Sequence, residues 1–200
     1  MSVYAIIPLV SFILLLAIIT GRVIFLKQNG VLVISKRKKN KVSSFNLFPV
    51  FLFFMMLWIF EITKPVFQIP FSVLPGFLTN LFYKSSILNI VGGIIILLAL
   101  ILLVLSLLHF KTSLRFGLHE SNQGKLVTTG VFSISRNPFF LSLDLYFSGI
   151  ALIYPNLFFI GFSVLAIVSI HFYILKEERF LRKMYGDEYS DYTLRAGRYF

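Results

Sequence analysis

The sequence alternates between long apolar runs and shorter polar stretches. Five runs stand out, at residues 3–26, 45–67, 85–108, 138–154 and 157–175. A helix of about 20 apolar residues crosses the roughly 30 Å of hydrocarbon in a bilayer. The fourth run is short, because its residues extend only about 25 Å as a helix. We therefore predict an all-α integral membrane protein with about five transmembrane helices, of which the last two form a short hairpin.

The stretches between the runs have the composition of connectors and turns. The first run lacks the basic start and the small-residue cleavage site of a signal peptide, so we interpret it as a retained anchor. The residues that break helices after the second run are Pro65, Pro70, Pro75 and Gly76. Pro155 and Asn156 predict a turn within the hairpin. The charged tail, 176–200, is expected to begin as a helical continuation of the fifth run.

Positive charges lie mainly at the ends of the apolar runs, which is where membrane topology is encoded. A net charge of +11 suits a nucleic-acid partner in general, but this distribution excludes that interpretation. With five spans, seventeen of the nineteen Lys and Arg residues fall on one side. We predict an N-terminus outside and a cytoplasmic tail, in the plasma (inner) membrane, with attraction to anionic lipid headgroups.

The composition excludes an ordinary soluble domain and any chemistry that depends on cysteine. Only 14% of residues are charged, against about a quarter in soluble domains. The chain contains no Cys, which excludes disulfides, thiolate metal ligands and a thiol nucleophile. Its 24 Phe residues suit lipid-facing surfaces and an apolar ligand cleft equally well. Nothing in the sequence indicates an oligomeric state.

Seven of the eight acidic residues follow residue 119. The exception, Glu61, precedes Lys64 by three positions and predicts a helix pair. Asp144 lies about 9 Å into the fourth helix by helical rise. An acid at that depth faces a partner or a cavity, unless water from the interface reaches it.

Two short motifs flank the predicted hairpin. Asn137 and Pro138 are favoured residues at the cap and first position of a helix, and Arg136 beside them predicts either an anion site or a topology arginine. Glu177 and Glu178 end the apolar helix and oppose its dipole. We predict that Glu178 pairs with a cation four residues on, at Arg182, and that Glu177 stays free.

The three histidines carry a weaker signal. His109 and His171 lie near the same ends of two helices, where they can in principle bind a haem. Packing or interfacial roles are the simpler interpretation for both, and for His119.

Residues 124–138 read Gly-Lys-Leu-Val-Thr-Thr-Gly-Val-Phe-Ser-Ile-Ser-Arg-Asn-Pro. This stretch resembles the signature of the isoprenylcysteine carboxyl methyltransferase and phospholipid methyltransferase superfamily, in which a Leu-Val-Thr-x-Gly segment precedes Arg-His-Pro. The Glu-Glu pair at 177–178, Leu181 and the spaced tyrosines after it resemble the second family motif. Thr112–Gly117 is similar to the segment before the core in bacterial members. The likeness covers about residues 110–198, with Asn137, Phe140 and Ser142 in place of the usual His, Tyr and Gly.

This resemblance implies a membrane methyltransferase that uses S-adenosylmethionine in a cytoplasmic pocket. The implied catalytic residues are Arg136, Asp144 and Glu177. The implied cofactor-binding residues are Leu126, Val127, Thr128, Gly130, Arg136, Asn137, Pro138, Glu177 and Glu178. Arg136 would hold the cofactor's carboxylate and Glu177 or Glu178 its ammonium or ribose hydroxyls, while Phe132, Phe139 or Phe140 would face the sulfonium. No metal is implied.

The implied partners are membrane lipids and a lipophilic acceptor, either a carboxylate or an amine. An amine acceptor needs a base, for which Glu120, Asp144 and His119 are candidates. The chain then divides into a three-helix scaffold, 1–109, and a methyltransferase-like core, 110–200. Two alternatives stay open: a nicotinamide-dependent reductase of the sterol reductase type, and a non-catalytic haem-binding or assembly protein.

Overall fold

The computed structural model describes residues 3–30, 48–110 and 126–200. The described residues lie mainly in long helices, and no strands occur in these ranges. The helices are α1 (Val3–Gln28), α2 (Phe48–Phe67), α3 (Gly76–Thr79), α4 (Ser86–His109), a 3₁₀ helix (Gly130–Ser133), α5 (Pro138–Ile153) and α6 (Leu157–Arg195). The predicted all-α class is confirmed, and each of the five apolar runs forms a helix. Pro65 does not end α2 as predicted, since it lies in the last turn of that helix.

Among the described residues, four helices are long and apolar enough to cross a membrane: α1, α2, α4 and α6. Helix α5 is apolar but has only 16 residues, about 24 Å by helical rise. The count of five spans is therefore confirmed for four helices and stays a prediction for α5. The charged part of α6 begins at Lys176, beyond its apolar segment.

Trp58 of α2 lies at the centre of the core and is fully buried. Its ring contacts aromatic side chains of α1, α5 and α6: Phe12, Tyr146, Phe147, Phe159 and Phe162. Large apolar side chains also lie on the outer surfaces of the spans, as in Met56 and Ile87. Such surfaces are expected where helices face hydrocarbon instead of water.

Helices α4 and α5 approach each other through two glycines. A Cβ atom added to Gly92 would lie 2.6 Å from the Gly149 carbonyl oxygen. One added to Gly149 would lie 2.7 Å from Ile96 Cγ1. Small residues permit this close backbone packing between membrane helices. Gly93 instead faces Ile7 of α1 at an ordinary distance of 3.6 Å.

The predicted turn between α5 and α6 is confirmed at Pro155 and Asn156. The Asn156 side-chain oxygen accepts a hydrogen bond from Phe159 N at 2.9 Å and caps α6. Its amide group donates to Thr79 O at 3.1 Å, which fixes the hairpin against α3. The short turn leaves the two helices antiparallel, so that the start of α5 lies beside the charged part of α6.

Helix α6 continues past the apolar segment to Arg195, as predicted for the tail. It bends at Gly186, whose φ of +53° is a conformation that other residues rarely adopt. Residues 196–200 then turn back towards α5, and we call them the return segment. Ser135 and Gly197 form a parallel bridge there, and Arg136 N donates to Gly197 O at 2.8 Å.

Candidate functional site

The Glu178 carboxylate joins the two family-like motifs. Arg136 Nη2 donates to its Oε1 at 3.1 Å, and Asn137 Nδ2 donates to the same atom at 3.4 Å. Arg198 Nη2 donates to Oε2 at 2.8 Å. Burial alone would raise the pKa of Glu178, but hydrogen bonds from Arg198 and Arg136 outweigh it and hold the pKa below its usual range. The predicted partner Arg182 is therefore wrong, because the return segment brings Arg198 to Glu178.

Arg136 is almost completely enclosed, with 11% of its side chain exposed. Besides Glu178, its guanidinium donates to Ala196 O at 2.6 Å and to Thr193 O at 3.2 Å. A planar guanidinium can serve several acceptors in this way. Arg136 therefore fastens the end of α6 and the return segment to the start of α5, and its role as a ligand for an anionic group stays a prediction.

Asn137 occupies the cap position of α5, as predicted, and Pro138 is the first helical residue. The Asn137 side chain does not cap the helix. Its amide donates to Glu178 and to Arg198 O, the latter at 3.2 Å. The expected capping bond is wrong for this physical reason: the amide is drawn to a carboxylate and a carbonyl that only the tertiary structure supplies.

Glu177 is the free carboxylate that the sequence predicts. Its Oε2 atom is shielded from solvent and has no hydrogen-bond partner among the described residues. Burial, reinforced by the negative charge of Glu178, raises the pKa of Glu177 to about 7. A shielded oxygen without a donor is an unstable arrangement by itself, so this carboxylate suits a ligand that brings a donor.

Asp144 lies deeper along α5 and is buried, with 8% of its surface exposed. Its Oδ1 atom likewise has no partner in the part of the chain that the structure describes. Nearby, Tyr199 of the return segment and His171 of α6 share a hydrogen bond of 2.8 Å. Burial and the charge of Asp144 raise the pKa of Tyr199, which indicates that its hydroxyl lies within electrostatic reach of Asp144.

The segment before the 3₁₀ helix lies against the tail. Leu126 packs on a small cluster formed by Tyr189, Tyr192 and Ala196, and Val127 and Thr128 are half-buried. Gly130 has a φ of +65°, and a Cβ there would overlap the His109 ring. Leu126, Val127, Thr128 and Gly130 thus lie beside the arginine motif, as the resemblance implies, while their contact with a cofactor stays a prediction.

Aromatic rings lie at the end of the hairpin where α5 begins. The rings of Phe139 and Phe140 lie 5.4 Å apart, and Phe140 is 5.4 Å from Tyr173 of α6. Phe132 instead packs on Phe110, at 4.8 Å between ring centres. Phe140 is therefore the better placed of the three predicted rings to face a cation near Glu177, since Tyr173 lies one turn before that residue.

Several other predicted residues have different outcomes. The Glu61–Lys64 pair is confirmed at 3.9 Å. The structure does not support a haem between His109 and His171: His109 Nδ1 bonds to Leu105 O at 2.7 Å and His171 to Tyr199. No cluster of potential metal ligands occurs among the described residues. His119, Glu120 and the 112–117 segment lie outside them.

Sequence reasoning missed Arg198 and Tyr199. The signal that points to them is weak: Gly197 precedes both, and a Cβ there would overlap the backbone of Phe200. A glycine in that position permits a tight return of the chain, although the sequence does not say which element the return meets.

The sequence matches a known protein family. Residues 87–188, just over half of the chain, match the phospholipid methyltransferase family. The match includes all but the first residue of α4, the arginine motif and the Glu177–Glu178 pair. A search of curated proteins finds no match. The apolar helices and the match together indicate an integral membrane protein of a methyltransferase family. The chain belongs to the phospholipid methyltransferase family, in the superfamily that includes the isoprenylcysteine carboxyl methyltransferases.

Proposed function

We propose that the chain is an S-adenosylmethionine-dependent methyltransferase that acts on a lipid-like or membrane-partitioning acceptor, a carboxylate or an amine. The observation that carries the proposal is the junction at Glu178. It brings the arginine motif and the Glu-Glu motif together beside the unsatisfied Oε2 atom of Glu177. The family supports the reaction class, and the junction is the site that we propose for it.

The residues at the junction fit the cofactor in part. The free Oε2 of Glu177 is an acceptor for the cofactor's ammonium group or its ribose hydroxyls. The half-buried residues 126–128 suit the adenine. Arg136 is already engaged by Glu178, Ala196 and Thr193. We therefore assign it mainly to positioning, with Asn137 and Pro138, and a direct contact with the cofactor's carboxylate stays a secondary hypothesis.

When bound, the cofactor supplies a methyl group on a sulfonium centre. The task of the protein is then to align the acceptor in line with that methyl group and to keep bulk water away. The aromatic rings of Phe140 and Tyr173 are suited to face positive charge. Asp144, which is buried on the bilayer side of this junction, is the proposed group that takes a proton from an acceptor that must lose one.

The proposal includes an orientation: the charged part of α6 lies in the cytoplasm, and the 68–85 loop lies outside. The polar cofactor then enters from the cytoplasm and the acceptor from the bilayer. Because the chain has no Cys, a single cysteine at Lys84 or at Lys176 reports this directly. An impermeant thiol reagent should label Lys84→Cys from outside and Lys176→Cys only after the membrane is opened. The reverse pattern would contradict the orientation.

Binding of S-adenosylmethionine to the purified protein in lipid nanodiscs tests the proposal. We expect saturable binding, weakened about tenfold by Glu177→Gln, which corresponds to about 1.4 kcal/mol. Glu188→Gln is the matched control, since Glu188 is an exposed carboxylate on the same helix. The acceptor can be sought by mass spectrometry, as lipids or small amines that gain a methyl group on expression. Absence of saturable binding to the unaltered protein would contradict the proposal.

A further inference from the structure

The return segment passes directly over the start of α5. Arg136 N donates to Gly197 O at 2.8 Å, and the Arg198 carbonyl accepts from Ser135 Oγ at 3.4 Å and from Asn137 Nδ2 at 3.2 Å. The Arg198 side chain is fixed by Glu178. These bonds determine the direction in which the next residue, Tyr199, leaves the junction.

Tyr199 is half-buried and lies against α6. Its ring stacks on the His171 ring at 6.1 Å with an angle of 24° between the planes, and its hydroxyl shares the 2.8 Å hydrogen bond with His171 Nδ1. His171 lies about 9 Å before Glu177 along α6 by helical rise. The return segment therefore places a polar group, the Tyr199 hydroxyl, beside α6 at the level of His171.

Asp144 lies at the same level on the opposite helix. It is about 9 Å beyond Pro138 along α5 by helical rise, and its charge acts on the Tyr199 hydroxyl. Its buried Oδ1 has no partner among the described residues. Asp144, His171 and Tyr199 thus form a polar set between the junction and the apolar part of the hairpin.

We propose that Tyr199, held by His171, is an acceptor-binding residue, and that it forms the acceptor side of the site together with Asp144. This inference rests on the proposed function and extends it to Tyr199 and His171, which lie outside the arginine and Glu-Glu motifs. The free cofactor is polar and reaches the Glu177 side of the junction from water. A molecule that comes from the bilayer meets the Asp144 level first.

The chemistry of the pair suits this task. A tyrosine hydroxyl both donates and accepts hydrogen bonds, and one of these is used by the His171 ring. We assign the remaining capacity to the acceptor. A reacting group that offers a hydrogen to Asp144 and a second contact to Tyr199 is thereby held in one orientation. A carboxylate acceptor would be repelled by the negative charge of Asp144, because like charges at short range repel strongly in surroundings of low dielectric.

Tyr199→Phe tests the proposal, because it removes one oxygen and keeps the ring that stacks on His171. With a lipid extract of the expression host in nanodiscs as acceptor pool and a tritiated methyl donor, we expect the apparent KM for the extract to rise about threefold to tenfold. S-adenosylmethionine affinity should stay within about twofold. Tyr83→Phe, at an exposed tyrosine before α4, is the matched control and should change neither value.

Photo-crosslinking gives a readout that does not depend on turnover. Benzoylphenylalanine at position 199 should capture a lipid-soluble molecule, identified by mass spectrometry, whereas the same residue at position 83 should not capture that molecule. Equal capture at both positions, or an unchanged KM in Tyr199→Phe, would overturn the inference and leave the proposed function intact. Loss of S-adenosylmethionine binding in Tyr199→Phe would also overturn it, because Tyr199 would then serve the cofactor side. No cofactor binding by the unaltered protein would contradict both proposals.

Discussion

Arg136 and Glu178 lie 42 residues apart in the sequence, and their side chains meet at 3.1 Å between Nη2 and Oε1. Both are largely enclosed, with 11% and 13% of their side chains exposed. Removing one partner of a buried ion pair leaves the other charge without compensation. Loss of either side chain would therefore destabilise the junction, because the remaining charge would stay buried without its partner.

Glu178→Gln should lower the free energy of unfolding by about 3 kcal/mol, because Arg136 and Arg198 both lose their counter-charge. Thermal unfolding in detergent measures the change. Glu188→Gln, at an exposed position, should shift stability by less than about 0.5 kcal/mol. Equal stability of the two variants would show that the Glu178 junction contributes nothing.

Arg136→Lys should loosen the return segment while leaving the helices intact. A lysine keeps the charge, but it cannot serve Glu178, Ala196 and Thr193 at the same time. We expect trypsin to cleave after Arg195 about ten times faster in this variant, in line with local opening made easier by about 1.4 kcal/mol. Cleavage at the rate of the unaltered protein would mean that other contacts hold the segment.

Gly149→Ala should destabilise the protein by about 1–3 kcal/mol, because a Cβ there meets Ile96 Cγ1 at 2.7 Å and the Gly92 carbonyl oxygen at 2.8 Å. Gly161→Ala is the matched control on the neighbouring helix. No atom outside its own helical surroundings lies within 4 Å of a Cβ there, so it should be neutral or stabilising by up to about 1 kcal/mol. Unfolding monitored by circular dichroism separates the two.

Glu177 should make both stability and cofactor affinity depend on pH near neutrality. Its pKa is raised to about 7 by burial and by Glu178, so the folded protein holds this proton more tightly than the unfolded chain. Stability is then fully present below the usual pKa near 4.5 and falls as the pH rises to about 7. The groups that act on it or are acted on by it are Glu178, Tyr173 and Tyr189.

The free energy of unfolding of the unaltered protein should therefore fall by on the order of 1 kcal/mol between about pH 5 and pH 8, allowing for solvent screening. Glu177→Gln should abolish this fall. Affinity for S-adenosylmethionine should move in the opposite direction, since only the ionised carboxylate attracts the ammonium group. Thermal unfolding and binding across that range give both slopes. Parallel slopes in the two proteins would assign the pH dependence to another group.

The helices are the part of the fold that sequence reasoning predicts well. The length of an apolar run and the residues of a turn are local features of the sequence. Helices α1 and α4 and the Pro155–Asn156 turn are therefore predicted from it directly. The site is predictable only as far as its two motifs. Local rules pair Glu178 with Arg182 and use the Asn137 amide as a cap, whereas the structure gives both side chains partners on the return segment. Contacts between distant segments depend on the whole fold, and no spacing along the chain encodes them.

Helix α4 has close contacts with the rest of the fold near both of its ends. Gly92 meets Gly149 of α5 near one end, and at the other end His109 lies against Gly130 while Phe110 packs on Phe132. These places are about 25 Å apart along the helix. An inserted residue between them would turn one end relative to the other by about 100° and shift it by about 1.5 Å, so both contacts could not survive together. Length changes during evolution or engineering are thus disfavoured in α4, although it contributes none of the proposed site residues.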